Sequence, residues 1–231
     1  MSELISLISS AGYADRVLSD QQIGRILGGT DDRRYGQVKR ALKSGALVRI
    51  KRGLYVLAEQ YRDHPLHPFA LAQVLVAGSY VSMETALAFH GWIPEAVYTT
   101  VSVTPGRKSK VIQHPDFGRF EFNPLALHKS GFLAGVQRHV ISDQAMLVAS
   151  PLRALMDLVA FRKQEWEGAA WIEDGMRISK VYLVQIRPKD FSDLRGVYKY
   201  KAVNEFLSRL EREVRVLKKA MRTSGKEHSH E

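Results

Sequence analysis

Between Arg33 and Arg52 lie eight basic residues and no acidic one: Arg33, Arg34, Lys39, Arg40, Lys43, Arg49, Lys51 and Arg52. Cationic side chains at this density suit the neutralisation of phosphate oxygens. Guanidinium groups can do more, because their fork of donors matches the O6/N7 edge of guanine; a carboxamide such as Gln37 matches adenine N6/N7. Arg33, Gln37 and Arg40 recur at helical spacing on one face, so they are the candidates for base edges. Lys39 and Lys43 flank that face, and Arg49, Lys51 and Arg52 follow in a second basic stretch. These suit phosphates on either side, and Arg34 belongs to the same block. The expected partner is double-stranded DNA. A solvated basic face on a small structural domain is the plainer alternative.

Other residues capable of chemistry are sparse. The chain has no Cys, which excludes disulfides and thiolate metal sites, and its eight His lack ligand spacing. No Walker loop, G-x-S-x-G elbow, H-E-x-x-H motif or Rossmann fingerprint is present. No metal and no cofactor are expected. A basic DNA binder can be a nuclease, and Pro115-Asp116 followed by Glu121-Phe122-Asn123 faintly resembles a restriction-type metal site. The interval is short, and Asn123 stands where a catalytic Lys is expected, so Asp116 reads better as a turn residue. Glu173-Asp174 reads as a solvated helix end and His90-Gly91 as a capping or packing pair. His64 and His67, flanked by prolines, read as surface residues. The expectation is a protein that is not an enzyme. A Mg-dependent DNA nuclease is the rival, and a ligand-sensing transcriptional repressor is a second alternative.

The elements that must position the basic block are readable around it. Leu4, Ile5, Leu7, Ile8 and Ala11 predict a first helix over residues 2–11. Ser19 with Gln22 is a capping-box signature, followed by Ile23, Ile26 and Leu27 and closed by Gly28-Gly29. Thr30 caps a third helix that opens with Asp31 and Asp32, where the dipole favours negative charge. In it Tyr35, Val38, Ala41 and Leu42 form the inward face. Gly45 ends this helix, and Leu47–Ile50 and Leu54–Leu57 predict two strands joined by Lys51-Arg52-Gly53. Three helices and a basic hairpin make a winged helix-turn-helix, whose third helix enters the major groove.

Farther on, helices are predicted over 69–76, 82–90, 151–159, 164–176 and 201–221. Strands are predicted at 80–81, 98–104, 111–113, 117–122 and 136–142. The predicted organisation is residues 1–60 winged helix-turn-helix, 61–67 linker, 68–222 α/β domain and 223–231 disordered tail. The fold class is α+β, with a mostly helical C-terminal part. The 231 residues are 45% hydrophobic and 25% charged, enough apolar material for a core. Lys plus Arg is 34 against 24 acidic residues, a net +10, which again favours a polyanionic partner. No run of about 18 apolar residues exists, so no membrane association is expected. The opening Met-Ser-Glu-Leu-Ile-Ser lacks a basic signal region, and a cytoplasmic location is expected.

Four stretches together resemble the AbiEi family of type IV antitoxins, the regulatory halves of abortive-infection toxin–antitoxin operons. They are Lys51-Arg52-Gly53-Leu54-Tyr55-Val56-Leu57 running into His67-Pro68; Ser79-Tyr80-Val81-Ser82 with Ala86-Leu87 and His90-Gly91-Trp92-Ile93-Pro94; Thr100-Val101-Ser102-Val103-Thr104; and Ala149-Ser150-Pro151-Leu152-Arg153-Ala154-Leu155-Met156-Asp157-Leu158. Leu152 departs from the pattern, standing where an acidic residue is expected. The resemblance implies an N-terminal winged helix that represses its own operon by binding promoter DNA, with DNA-dependent oligomerisation as an open possibility. It also implies a C-terminal domain that counters a nucleotidyltransferase-like toxin.

Overall fold

A computed structural model describes residues 3–95 and 97–227, the side chains of 222–227 excepted. The chain is mixed α+β and divides into two compact units. One runs to Ala77 and takes in His139–Met146; the other comprises Gly78–Arg138 and the chain from Leu147 onward.

The first unit follows its local signals closely. Helix α1 (Glu3–Ser10) is followed by a short strand β1 (Leu18–Ser19) and helix α2 (Asp20–Leu27). The capping box at α2 is complete: Ser19 Oγ accepts from Gln22 N at 3.3 Å, and Gln22 Oε1 accepts from Ser19 N at 2.8 Å. Two of the helix's orphan donors are thereby satisfied. Helix α3 (Asp31–Lys43) is capped by Thr30, and strands β2 (Leu47–Lys51) and β3 (Leu54–Leu57) follow. The three strands form an antiparallel sheet in the order β1-β3-β2. Gly53, at φ +76°, makes the turn of the β2–β3 hairpin, a conformation costly for other residues. Leu4, Ile5, Ile8, Leu18, Ile23, Val38, Leu47 and Leu57 belong to one buried cluster that joins the three helices to the sheet.

Tyr35 departs from expectation. Helical phase puts it with Val38 and Ala41, yet it is 70% exposed while those two are buried. The apolar stripe of α3 is thus narrower than the sequence suggests.

Helix α4 (Pro68–Leu75) completes the run to Ala77. The segment before it is fixed rather than loose. Asp15 Oδ1 accepts from the backbone N–H of Asp63 and of His64, and Asp15 Oδ2 lies 2.8 Å from His64 Nδ1. Burial works against ionisation of Asp15, but these hydrogen bonds hold its carboxyl below the ordinary value.

Beyond Ala77 the chain forms a mixed six-stranded sheet in the order β6-β7-β5-β4-β9-β8. The elements in chain order are β4 (Tyr80–Val81), α5 (Met83–Phe89), β5 (Thr99–Val103), β6 (Lys110–His114), β7 (Gly118–Asn123), β8 (Val136–Ile141) and β9 (Gln144–Ala149). Helices α6 (Pro151–Arg162), α7 (Lys180–Leu183), α8 (Pro188–Leu194) and α9 (Lys201–Glu227) follow. Strand β9 has no counterpart in the sequence reading. It returns from β8 through Ser142-Asp143, both at positive φ (47° and 60°). That pair makes a two-residue hairpin turn without the Gly that usually announces one.

The helix expected over 164–176 is not formed. Lys163 ends α6 in the left-handed region, residues 164–168 are irregular with Gly168 at φ +100°, and only a π-turn at Trp171–Gly175 remains. Helix α9 runs to Glu227 and so enters the segment read as a tail, of which 228–231 lie outside the described residues. No helix among the described residues is long and apolar enough to cross a membrane.

Candidate nucleic-acid interface

Helix α3 and the β2–β3 hairpin border a groove of about 670 Å³, lined by Arg34, Lys39, Arg49 and Arg52 together with Tyr35. One carboxylate, Asp20, sits in the lining. Tyr55, on β3, also faces this groove. Burial first, then the nearby Asp20 charge, raises its phenol above the usual value and keeps it neutral. The Arg49 guanidinium stands 5.9 Å over the Tyr55 ring, a cation–π contact that orients it at the groove.

The predicted site residues fall into three groups. Lys39, Arg40, Lys43 and Arg52 are exposed and make no ion pair among the described residues. Arg49 is exposed as well, on the hairpin side. Lys39, Arg40, Lys43 and Arg52 thus have their charges available to an incoming polyanion, and Arg49 stands beside them over the Tyr55 ring.

A second group is held by neighbours. Arg33 Nη2 donates to Glu3 Oε1 at 2.6 Å, and Gln37 Nε2 donates to Glu3 Oε2 at 3.1 Å. One carboxylate on α1 therefore engages two of the three side chains expected to read base edges. Arg33 and Glu3 side chains are about half exposed (45% and 51%), so the clamp is open to water and weak. Arg34 Nη1 pairs with Asp31 Oδ1 at 3.1 Å one turn earlier. Its stem lies so close to Gly24 of α2 that a Cβ there would meet Arg34 Cδ at 3.2 Å.

Lys51 stands alone in a third position. Its ammonium donates to the carbonyls of Val74 (2.6 Å) and Leu75 (3.1 Å) at the C-terminal end of α4. Those carbonyls have no partner within the helix and lie at its negative pole, where a cation is favoured. The structure thus gives Lys51 the role of a helix cap.

The other candidates resolve as follows. Asp116 occupies the β6–β7 turn, its backbone N–H donating to His114 Nδ1 at 3.2 Å. Glu121 lies within β7, opposite Val111, and accepts from Arg119 Nε at 2.9 Å. Gly118 and Glu121 are three residue steps apart along β7, about 10 Å at ~3.4 Å per residue. Among the described residues no three His, Asp or Glu side chains gather as metal ligands. Glu173 pairs with Lys180 at 3.2 Å. His90 Nε2 lies 2.9 Å from the Ala149 carbonyl, and His67 Nδ1 accepts from Phe69 N at the start of α4.

Sequence reasoning assigned no role to one buried cluster. Arg153 and Asp157, both fully buried and one turn apart on α6, pair at 2.8 Å. Asp157 also accepts from Tyr80, Ser82 and Tyr198 hydroxyls at 3.0, 2.7 and 2.8 Å. Arg153 donates to the carbonyls of Gly131 (3.1 Å) and Ala134 (2.7 Å) and to the Tyr80 hydroxyl (2.5 Å). Burial first, and then the Asp157 charge, push Tyr80 and Tyr198 well above the ordinary tyrosine value. The cluster is sealed from solvent and knits β4, α6 and the segment before α9 together. The sequence signal was there: an Arg and an Asp at i, i+4 within a helix otherwise apolar up to Arg162.

The chain matches no protein-family model and no curated protein at a significant level.

Proposed function

We propose that the protein is a DNA-binding antitoxin and autorepressor whose first unit is a winged helix-turn-helix. The observation that carries this reading is the basic groove between α3 and the β2–β3 hairpin, lined by Arg34, Lys39, Arg49 and Arg52, with Arg40 and Lys43 exposed on the same helix. Helix α3 lies in the major groove, Arg40 reads a guanine edge, and the hairpin tip holds the flanking backbone through Arg52. Arg33 and Gln37 join the readout once released from Glu3. The second unit counters a nucleotidyltransferase-like toxin, a role that rests on the family resemblance. The protein acts in the cytoplasm on double-stranded promoter DNA, without metal, cofactor or catalysis.

The testing variant replaces Arg33, Gln37 and Arg40 with Ala. All three are at least partly exposed, so the first unit stays folded. A reporter fused to the protein's own promoter should lose repression, while growth of cells carrying the cognate toxin should remain protected. Loss of both activities in a variant folded by circular dichroism would overturn the division of labour.

A further inference from the structure

The second unit carries a basic cleft that the DNA-binding reading does not use. About 650 Å³ in volume, it lies between the first turns of α9 and the segment Arg195–Lys199. Arg195, Lys199, Arg212 and Arg215 line it, with Glu211 as the sole carboxylate. Four cationic side chains against one carboxylate leave three net positive charges facing one cavity.

Glu211 organises this charge. Its side chain is largely buried, and its two oxygens accept separately from Arg195 Nη2 at 2.8 Å and Arg215 Nη2 at 2.6 Å. Burial opposes its ionisation, but the two guanidinium groups hold the carboxyl below the ordinary value, so the clamp is charged at neutral pH. Each guanidinium has five N–H donors and spends few on Glu211, so both keep donors for a second anion. Lys199 and Arg212 make no ion pair among the described residues. The floor is firm as well: Tyr198 is buried and its hydroxyl is tied to Asp157 at 2.8 Å. Leu207 and the His128 ring supply the less polar part of the lining.

We propose that this cleft binds a phosphate-bearing small molecule of mononucleotide size. The volume falls in the range of small-molecule sites, about 300–1,000 Å³. Three net positive charges complement a di- or triphosphate, and the Arg–Glu–Arg clamp presents forked donors of the kind phosphate oxygens accept. The cleft lies wholly within the second unit, so the inference stands or falls independently of the α3 interface.

The test titrates the full chain with ATP, pyrophosphate and adenosine by calorimetry. The comparison is with Lys199→Ala/Arg212→Ala, whose side chains are exposed and whose loss should leave the melting temperature unchanged. Expected are one ATP per chain, measurable pyrophosphate binding, no adenosine binding, and at least a tenfold loss of ATP affinity in the double variant. Arg209→Ala, which removes a cation paired with Glu205, should bind ATP as the wild type does. The proposal is overturned if ATP fails to bind at about 1 mM, if adenosine binds equally, or if the double variant binds ATP unchanged. A variant that loses duplex DNA affinity tenfold while nucleotides fail to bind either protein would make the cleft a nucleic-acid contact, which also overturns it.

Discussion

Removing the Glu3 carboxylate should strengthen DNA binding. In the free protein Glu3 accepts from Arg33 at 2.6 Å and from Gln37 at 3.1 Å, and each contact must break before its side chain can reach a base. An exposed pair of this kind is worth about 0.2–1 kcal/mol, and the exposed amide hydrogen bond adds at most a similar amount. Release therefore costs about 1 kcal/mol, or roughly fivefold in affinity. Glu3→Gln should tighten binding to the specific operator by about three- to tenfold, measured by fluorescence anisotropy at fixed salt. Thermal stability should fall by no more than about 1 kcal/mol. In an Arg33→Ala/Gln37→Ala background the gain should shrink to the part that comes from removing one negative charge near phosphates. Unchanged or weaker binding in Glu3→Gln would mean that Glu3 orients these side chains for readout, or that they never meet the bases.

Lys51 and Arg52 should behave differently despite being neighbours. Lys51→Ala should lower stability by about 1 kcal/mol through loss of the α4 cap while leaving the salt dependence of DNA binding unchanged. Arg52→Ala should leave stability unchanged and flatten the dependence of log K on log[salt] by about 0.9. Asp157→Asn removes the partner of a buried guanidinium and should destabilise the second unit by about 3–5 kcal/mol in a denaturant melt. Tyr80 and Tyr198 are neutral in the fold with raised pKa values, so their contribution is complete below pH 10 and declines as the pH rises beyond it. Absorbance at 295 nm should show these two of the nine tyrosines resisting ionisation until alkaline unfolding; ionisation near pH 10 in the folded protein would contradict the buried cluster.

What the sequence made legible was local. The capping box at Ser19, the Thr30 cap, the Gly53 turn and the Ser150-Pro151 start of α6 each depend on residues within four positions of one another. The basic block was equally readable as a concentration of charge. The partners of that charge were not. Lys51 meets carbonyls 23 and 24 residues away, and Arg33 meets a carboxylate 30 residues back, distances at which periodicity carries no information. Strand β9 carries no local signal, because Ser142-Asp143 is not a typical hairpin pair. Trp171, Ile172 and Met176 have helical spacing, but Gly168 and the left-handed Lys163 break the backbone before them, so no helix forms over 164–176.

The salt dependence of binding to DNA upstream of the protein's own coding sequence tests the central claim most directly. If Lys39, Arg40, Lys43, Arg49 and Arg52 each neutralise one phosphate, log K falls with log[salt] at a slope of about −4.5 per protomer, roughly 500-fold between about 50 and 200 mM. A slope near zero would contradict the account, because no set of phosphate contacts on the α3–hairpin face is compatible with it.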